Sequence, residues 1–248
     1  MVRKKLSAQT YKYRRGVVAV CAGSEKFPGA ATLTVGGARL GNAGFVKFLS
    51  KSSDLQRLVV ERFPDVVPIS SLKNERVNSL VLGPGGSTLN RVPRDIPLVL
   101  DSAAISLLKR ESVRGRAGIT VITPHEGELR FLDIAAPDSE KNRSEIALKV
   151  AKQFAVITVL KGHHTVIASP SGEVHIDKVG GPELATAGSG DILAGLIGSM
   201  LAGLEDNRDA FNYVKSAVEL HSLAGRMASK KYRAVTTLEI LECLALVP

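Results

Sequence analysis

The stretch 185-ATAGSGDILAGLIGSMLAGL-204 joins a loop of small residues to an unbroken apolar helix pattern, with one acid, Asp191, at the joint. Gly188, Ser189 and Gly190 let the backbone approach a ligand closely, and the amides that open a helix have no partner inside it. Such a junction is an anion loop suited to phosphate. A carboxylate complements the helix dipole, yet it repels a phosphate held in the same cradle. Its better use is to accept a proton from a substrate hydroxyl, so the segment points to phosphoryl chemistry with Asp191 as the catalytic base.

Upstream of that junction, short apolar runs alternate with helical segments. Val17–Val20, Val66–Ile69, Leu80–Leu82, Leu98–Leu100, Ile119–Ile122 and Val156–Leu160 read as buried strands, and 30–40, 54–61, 103–110 and 144–154 carry helical spacing. The alternation predicts an α/β fold, a central, mostly parallel sheet flanked by helices on both faces. Thr165–Ala168 and Val174–Asp177, joined by Ser169-Pro170-Ser171-Gly172, read as a late antiparallel hairpin. The final third is helical, over 191–204, 209–230 and 236–246. No repeat, low-complexity tract or linker divides the chain, so residues 1–248 are expected to form a single domain, with 1–15 as a basic leader.

The unusual residues fall at strand ends. Gly83-Pro84-Gly85-Gly86, Asp101, Thr123-Pro124-His125 and Lys161-Gly162 each follow an apolar run. In a parallel sheet the carboxyl ends share one edge, where open α/β folds bind ligands. GPGGS at 83–87 reads equally as a tight turn or as a loop that lets backbone approach a ligand. Asp101 would meet a magnesium ion or a ribose, or cap the helix that begins near Ala103. In TPHEGEL, Pro124 fixes the turn, His125 is presented to an organic ligand, and Glu126 and Glu128 are first-turn acids. No second histidine stands at metal-site spacing, which disfavours a metal there. KGHHT at 161–165 reads as a turn holding adenine, ribose or phosphate through main-chain groups and the Thr165 hydroxyl. His163 and His164, adjacent on an extended chain, should point to opposite sides. His221 is expected to pack in a helix and hydrogen-bond locally.

Composition sets the outer limits. Hydrophobic residues make up 44% of the chain and charged residues 23%, ordinary for a soluble globular protein, and no apolar run is long enough for a membrane span. The formal net charge of +9 is concentrated only at the start, where Arg3, Lys4, Lys5, Lys12, Arg14 and Arg15 precede the first acid, Glu25. The apolar run after Arg15 is too short for a signal peptide, so a buried first strand behind a solvated basic leader is expected. No aromatic-studded basic stripe accompanies the charge, which argues against nucleic acid as a partner. Cys21 and Cys243 lie in apolar surroundings without CxxC spacing, as reduced thiols of a cytoplasmic protein do.

Taken in order, GAATLT, VLGPGGS, LVLDSAAI, VITPHEGEL, VLKGHHTVIASPSGEVHI, ATAGSGDILAGLIGSMLA and AVELHSLAG resemble the ADP/ATP-dependent NAD(P)H-hydrate dehydratase family of the ribokinase-like superfamily, from Gly29 to Leu246. The GSGD loop is common to the superfamily; the TPHxGE and LKGxxT segments narrow the resemblance to the family. It implies that Ala30, Gly85, His125 and Asp191 contact the hydrated dinucleotide, and that Lys161, Gly162, His163, His164, Thr165 and Gly190 contact the nucleotide. It further implies ADP or ATP as phosphoryl donor, Mg2+, and self-association into a homo-oligomer. The implied reaction phosphorylates the 6-hydroxyl of hydrated NADH or NADPH and expels phosphate, because phosphate is a good leaving group and hydroxide a poor one.

The chain departs from the family pattern at three places. Gly180-Gly181-Pro182-Glu183-Leu184 stands where an Asn-Pro pair and a methionine are usual, Ala103 replaces the second acid of a DAD segment, and Glu126 replaces the second proline of TPHPGE. The metal ligands therefore stay unassigned. No segment here reads as the epimerase domain often fused to this family, so epimerisation, if needed, is expected to fall to another protein. Two other functions use the same loop: a small-molecule kinase acting on a hydroxymethylpyrimidine, a thiazole alcohol or a sugar, and a non-catalytic nucleotide-binding regulator. Asp191 argues against the regulator, since a pure binding loop gains nothing from a carboxylate there.

Overall fold

Strand β1 (Val17–Cys21) is buried at every position, as a strand must be when both sheet faces are covered and no residue can turn to water. Around it the computed structural model, which describes residues 10–111 and 113–248, assembles one sheet from β2 (Phe45–Leu49), β3 (Val67–Ile69), β4 (Ser79–Leu82), β5 (Leu98–Leu100), β6 (Thr120–Ile122), β7 (Ile157–Leu160), β8 (Thr165–Ala168) and β9 (Val174–Asp177). The order is β3-β2-β1-β4-β5-β6-β7-β8-β9. All pairs from β3 to β7 are parallel, and β7-β8 and β8-β9 are antiparallel. The late hairpin is thus present and closes one side of the sheet.

β2 is the one strand missing from the apolar runs read in the sequence. Lys47 interrupts FVKFL, yet it is buried, its ammonium 2.5 Å from Glu75 and 3.2 Å from the Arg76 carbonyl. A lysine paired at its tip can occupy a covered strand, and a hydropathy pattern does not register the pairing.

Alternate strand residues face opposite layers. Val18, Val20, Val81, Val99, Val121 and Val159 meet α1 (Gly29–Arg39), α4 (Ser189–Ala202), α5 (Ala210–Lys231) and α6 (Thr237–Leu244). Leu80, Leu82, Leu98, Leu100 and Leu160 meet α3 (Glu140–Phe154) and the 3-10 helices 102–109 and 126–132. Short valines on the first face let α4 ride close to the sheet, and α1 closes onto α4. A Cβ on Gly195 would lie 1.9 Å from the Thr34 carbonyl oxygen, so only glycine permits this approach. That packing holds the start of α4 over the sheet edge.

One expectation changes. Segment 103–110 is a 3-10 helix over 102–109 rather than an α-helix; Ser102 enters it with φ 52°, and the Ser106 hydroxyl donates to the Ala103 carbonyl at 2.7 Å. The described end of the basic leader keeps Lys12 and Arg14 exposed, as expected, while making local contacts with the domain. Lys12 lies over the rings of Tyr13 and Phe45, and Arg15 donates to the Asn42 carbonyl at 3.1 Å. Residues 1–9 of the leader fall outside the described residues. No described helix is long and apolar enough to cross a membrane.

Candidate active site

From β1 the chain runs outward through β2 to β3, then returns to place β4 on the other side of β1. This reversal opens a crevice between the carboxyl ends of β1 and β4, the position where open α/β sheets take their ligands. The loops that flank it are tied together: Gly23 donates its amide to the Pro84 carbonyl at 2.8 Å, and the Ser24 hydroxyl donates to the Gly85 carbonyl at 2.7 Å. Gly85, with φ 69°, abuts Ala30 so tightly that a Cβ there would lie 2.7 Å from the alanine methyl. Ala30 and Gly85, 55 residues apart in sequence, are neighbours here. Beside them a cavity of about 720 Å3 spreads over the ends of β1 to β4, lined by Gly23, Ser87 and the loops that follow β2 and β3.

Asp191 is the third residue of α4, whose N-cap Gly188 has φ 91°, a left-handed conformation that glycine adopts without strain. Gly190 and Asp191 are first-turn residues with free amides, the usual condition of a helix start. Ser189 departs from the anion-loop expectation. Its amide donates to the Thr186 carbonyl at 3.2 Å, and its buried hydroxyl lies 3.1 Å from His221 Nε2. The amides that stay open at this helix start are those of Gly190 and Asp191, and Ser189 anchors the turn from beneath.

Across the cradle, Lys161 at the end of β7 points its ammonium at Gly190, where a Cβ would stand 3.1 Å from Nζ. The same ammonium donates to Asp101 Oδ1 at 2.8 Å and lies 3.7 Å from Glu128 Oε2. Burial alone would lower the lysine, but Asp101, Glu128 and Asp191 together hold it above its ordinary value, so it is charged. Asp191 lacks such a direct partner. Burial, reinforced by the negative Asp101, raises its carboxyl from 3.8 to about 7, with Lys161 opposing. A carboxylate poised near neutrality beside unpaired helix amides is equipped to take a proton at physiological pH.

Asp101 was open to two readings, ligand contact or helix cap. It makes no side-chain cap bond; it accepts from Thr123 Oγ1 at 2.6 Å and from Lys161. Glu126 and Glu128 are likewise more than first-turn acids. Glu126 pairs with the buried Arg143, and Glu128 closes a capping box by accepting the His125 amide at 2.8 Å. His125 is exposed as expected, its Nδ1 accepting the Gly127 amide at 3.0 Å.

A second cavity, of about 470 Å3, opens on the other side of Lys161, lined by Gly162, His163, Thr165, Gly190 and His221 among others. Of the nucleotide-contact set, only His164 is missing from its wall. The turn bends rather than extends, so the rings of His163 and His164 lie side by side, tilted by 57° with centroids 4.3 Å apart, instead of diverging. Arg143 fixes this turn by donating to the Leu160 and His164 carbonyls at 3.1 and 3.2 Å. His221 reaches Ser189, 32 residues away, rather than a local partner, and burial lowers its ring to about 4, so it is neutral. Arg143 lay outside every motif, and Glu128 and His221 lay inside motifs that did not disclose their partners; the contribution of all three comes from which segments they touch.

No three histidine, cysteine, aspartate or glutamate side chains among the described residues gather into a metal-binding group. That suits a Mg2+ carried on nucleotide phosphates, which keeps its waters and takes only one or two carboxylates. Asp101, Glu128 and Asp191 are the carboxylates that act on the Lys161 ammonium at this edge. Cys21 and Cys243 are free and buried, and burial pushes the Cys21 thiol up to about 11.

Residues 18–245 match the family model described as NAD(P)H-hydrate dehydratase. The bifunctional NAD(P)H-hydrate repair enzyme of Gloeobacter violaceus is 36% identical over 91% of this chain and 47% of its own length, so the chain spans about half of that relative. The ADP-dependent (S)-NAD(P)H-hydrate dehydratase of Bacillus subtilis is 30% identical over 93% of this chain and 87% of its own. The crystal structure of the B. subtilis ADP/ATP-dependent NAD(P)H-hydrate dehydratase, co-crystallised with ATP/Mg2+, superposes with a TM-score of 0.82 at 27% identity, covering 97% of this chain and 91% of that one.

Proposed function

This chain belongs to the NAD(P)H-hydrate dehydratase family, and on that premise we propose that it restores hydrated NADH and NADPH to NADH and NADPH at the expense of ADP or ATP. The observation that carries the reading is Asp191, raised to about 7 and flanked by the free amides of Gly190 and itself. The nucleotide occupies the cavity beside Lys161, Gly162, His163, Thr165 and Gly190, with its terminal phosphoryl at the start of α4. The hydrated nicotinamide enters from the crevice at Ala30, Gly85 and His125, and brings its 6-hydroxyl to Asp191.

Asp191 accepts the hydroxyl proton as the oxygen attacks phosphorus, and the bond from phosphorus to the departing nucleotide breaks. The two helix amides and the Lys161 ammonium face the charge that gathers on the transferred group. Mg2+, when bound, would neutralise phosphate charge through Asp101 or Asp191 and water. Loss of phosphate from C6, together with a neighbouring ring proton, restores the double bond. The two buried thiols suit a reducing compartment, and we place the enzyme in the cytoplasm.

Incubation with hydrated NADH and each nucleotide in turn should return the ultraviolet absorbance of NADH with one phosphate released per turnover. A stable phosphorylated alcohol instead would make the protein a kinase. His125→Ala should raise KM for the hydrated dinucleotide about tenfold, the loss of roughly one charge-assisted hydrogen bond, and leave the ADP Kd nearly constant. Equal losses for both ligands would remove His125 from the substrate side.

A further inference from the structure

The larger cavity has a charge pattern that the reaction at Asp191 does not use. Lys51 follows β2, Lys73 follows β3 and Arg91 lies in the loop beyond β4, so three separate strand ends each deliver one cation to its wall. Ser70, Ser71 and Thr88 interleave with them, and no aspartate or glutamate lines the space. None of the three cations forms an ion pair with a carboxylate among the described residues. Uncompensated positive charge facing a concave space, with hydroxyl donors between, is the chemistry of a phosphate monoester site.

The cavity is continuous with the proposed substrate crevice. Gly23 and Ser87 line it, and Gly23 is in contact with Gly85, where the hydrated dinucleotide is placed. A dinucleotide whose nicotinamide ring is at Asp191 must direct its other nucleoside along the sheet edge, and away from the nucleotide cavity that direction leads over β1 to β3. Dinucleotide sites that take NADH present a carboxylate to the adenosine ribose 2′-hydroxyl, whereas a cation there accommodates a 2′-phosphate. This cavity has the cations and lacks the carboxylate.

Resting on the dehydratase reading, we propose that the cavity of Lys51, Lys73 and Arg91 receives the 2′-phosphorylated adenosine end of the substrate and makes hydrated NADPH the preferred form. Wild-type kcat/KM should be about tenfold or more higher for hydrated NADPH than for hydrated NADH, the worth of one charge-assisted contact. Lys73→Ala and Arg91→Ala should each reduce that ratio severalfold, chiefly through KM for hydrated NADPH, and the advantage should shrink with added salt. Calorimetric titration of the intact protein with adenosine 2′,5′-bisphosphate and with AMP provides a readout free of turnover: the bisphosphate should bind more tightly, and lose that advantage in both variants. A wild-type ratio near one, with no preference for the bisphosphate, overturns the subsite while leaving a dehydratase. Selective bisphosphate binding without any dehydration overturns the dehydratase reading while the subsite stands.

Discussion

Asp191→Asn is expected to lower kcat by about 10²–10⁴-fold, the usual contribution of a positioned general base, while the Kd for ADP changes by less than about threefold. Asparagine keeps the shape and leaves the free amides of α4 in place, so the loss reports proton transfer rather than a damaged cradle. The wild-type kcat/KM should rise with pH through an apparent value near 7, since the base must be ionised to work and its carboxyl lies at about 7. Stability moves the other way. A carboxyl raised from 3.8 in the folded state favours the protonated form there, so its stabilising contribution is complete below pH 4 and is lost as pH rises through 7. Asp191→Asn, neutral throughout, should therefore be more stable than wild type at pH 8 by about 1–4 kcal/mol in urea denaturation. Retention of more than a tenth of wild-type turnover by a purified Asn variant, or an acid limb near pH 4, would remove Asp191 from the base role.

Lys161→Met should have the largest combined effect. Its ammonium lies among Asp101, Glu128 and Asp191 with its side chain 19% exposed, and removing it leaves three carboxylates facing one another without a counter-charge. Breaking a buried pair from one side costs about 3–5 kcal/mol, because the abandoned charge stays desolvated. Lys161 also holds Asp191 down, so in any folded fraction the acid limb of kcat/KM should move above 7. A variant within about 1 kcal/mol of wild type at neutral pH, with an unmoved limb, would show that Lys161 is not the electrostatic centre of the site.

The site was legible in part because its loops carry local signals. Small residues before α4, the Gly83–Gly86 run and KGHHT each announce backbone that approaches a ligand, and their places after apolar runs put them on one edge. What each side chain does there was not legible. Lys161 read as a main-chain contact became the central ammonium, and Asp101 read as a cap or ligand contact became its partner, because the two lie 60 residues apart. The Ser189 amide was expected in the cradle and instead completes a turn, a hydrogen bond that depends on how the loop bends.

By itself, the sequence determined the alternating architecture, the late hairpin and the family, since strand and helix periods and small-residue loops are properties of neighbouring residues. Only the tertiary structure decided that β2 could bury Lys47, that Asp191 titrates near neutrality and that three cations from three strand ends share one cavity. Burial and charge are sums over everything within a few ångströms, and the fold, not the order of residues along the chain, sets which groups enter that sum.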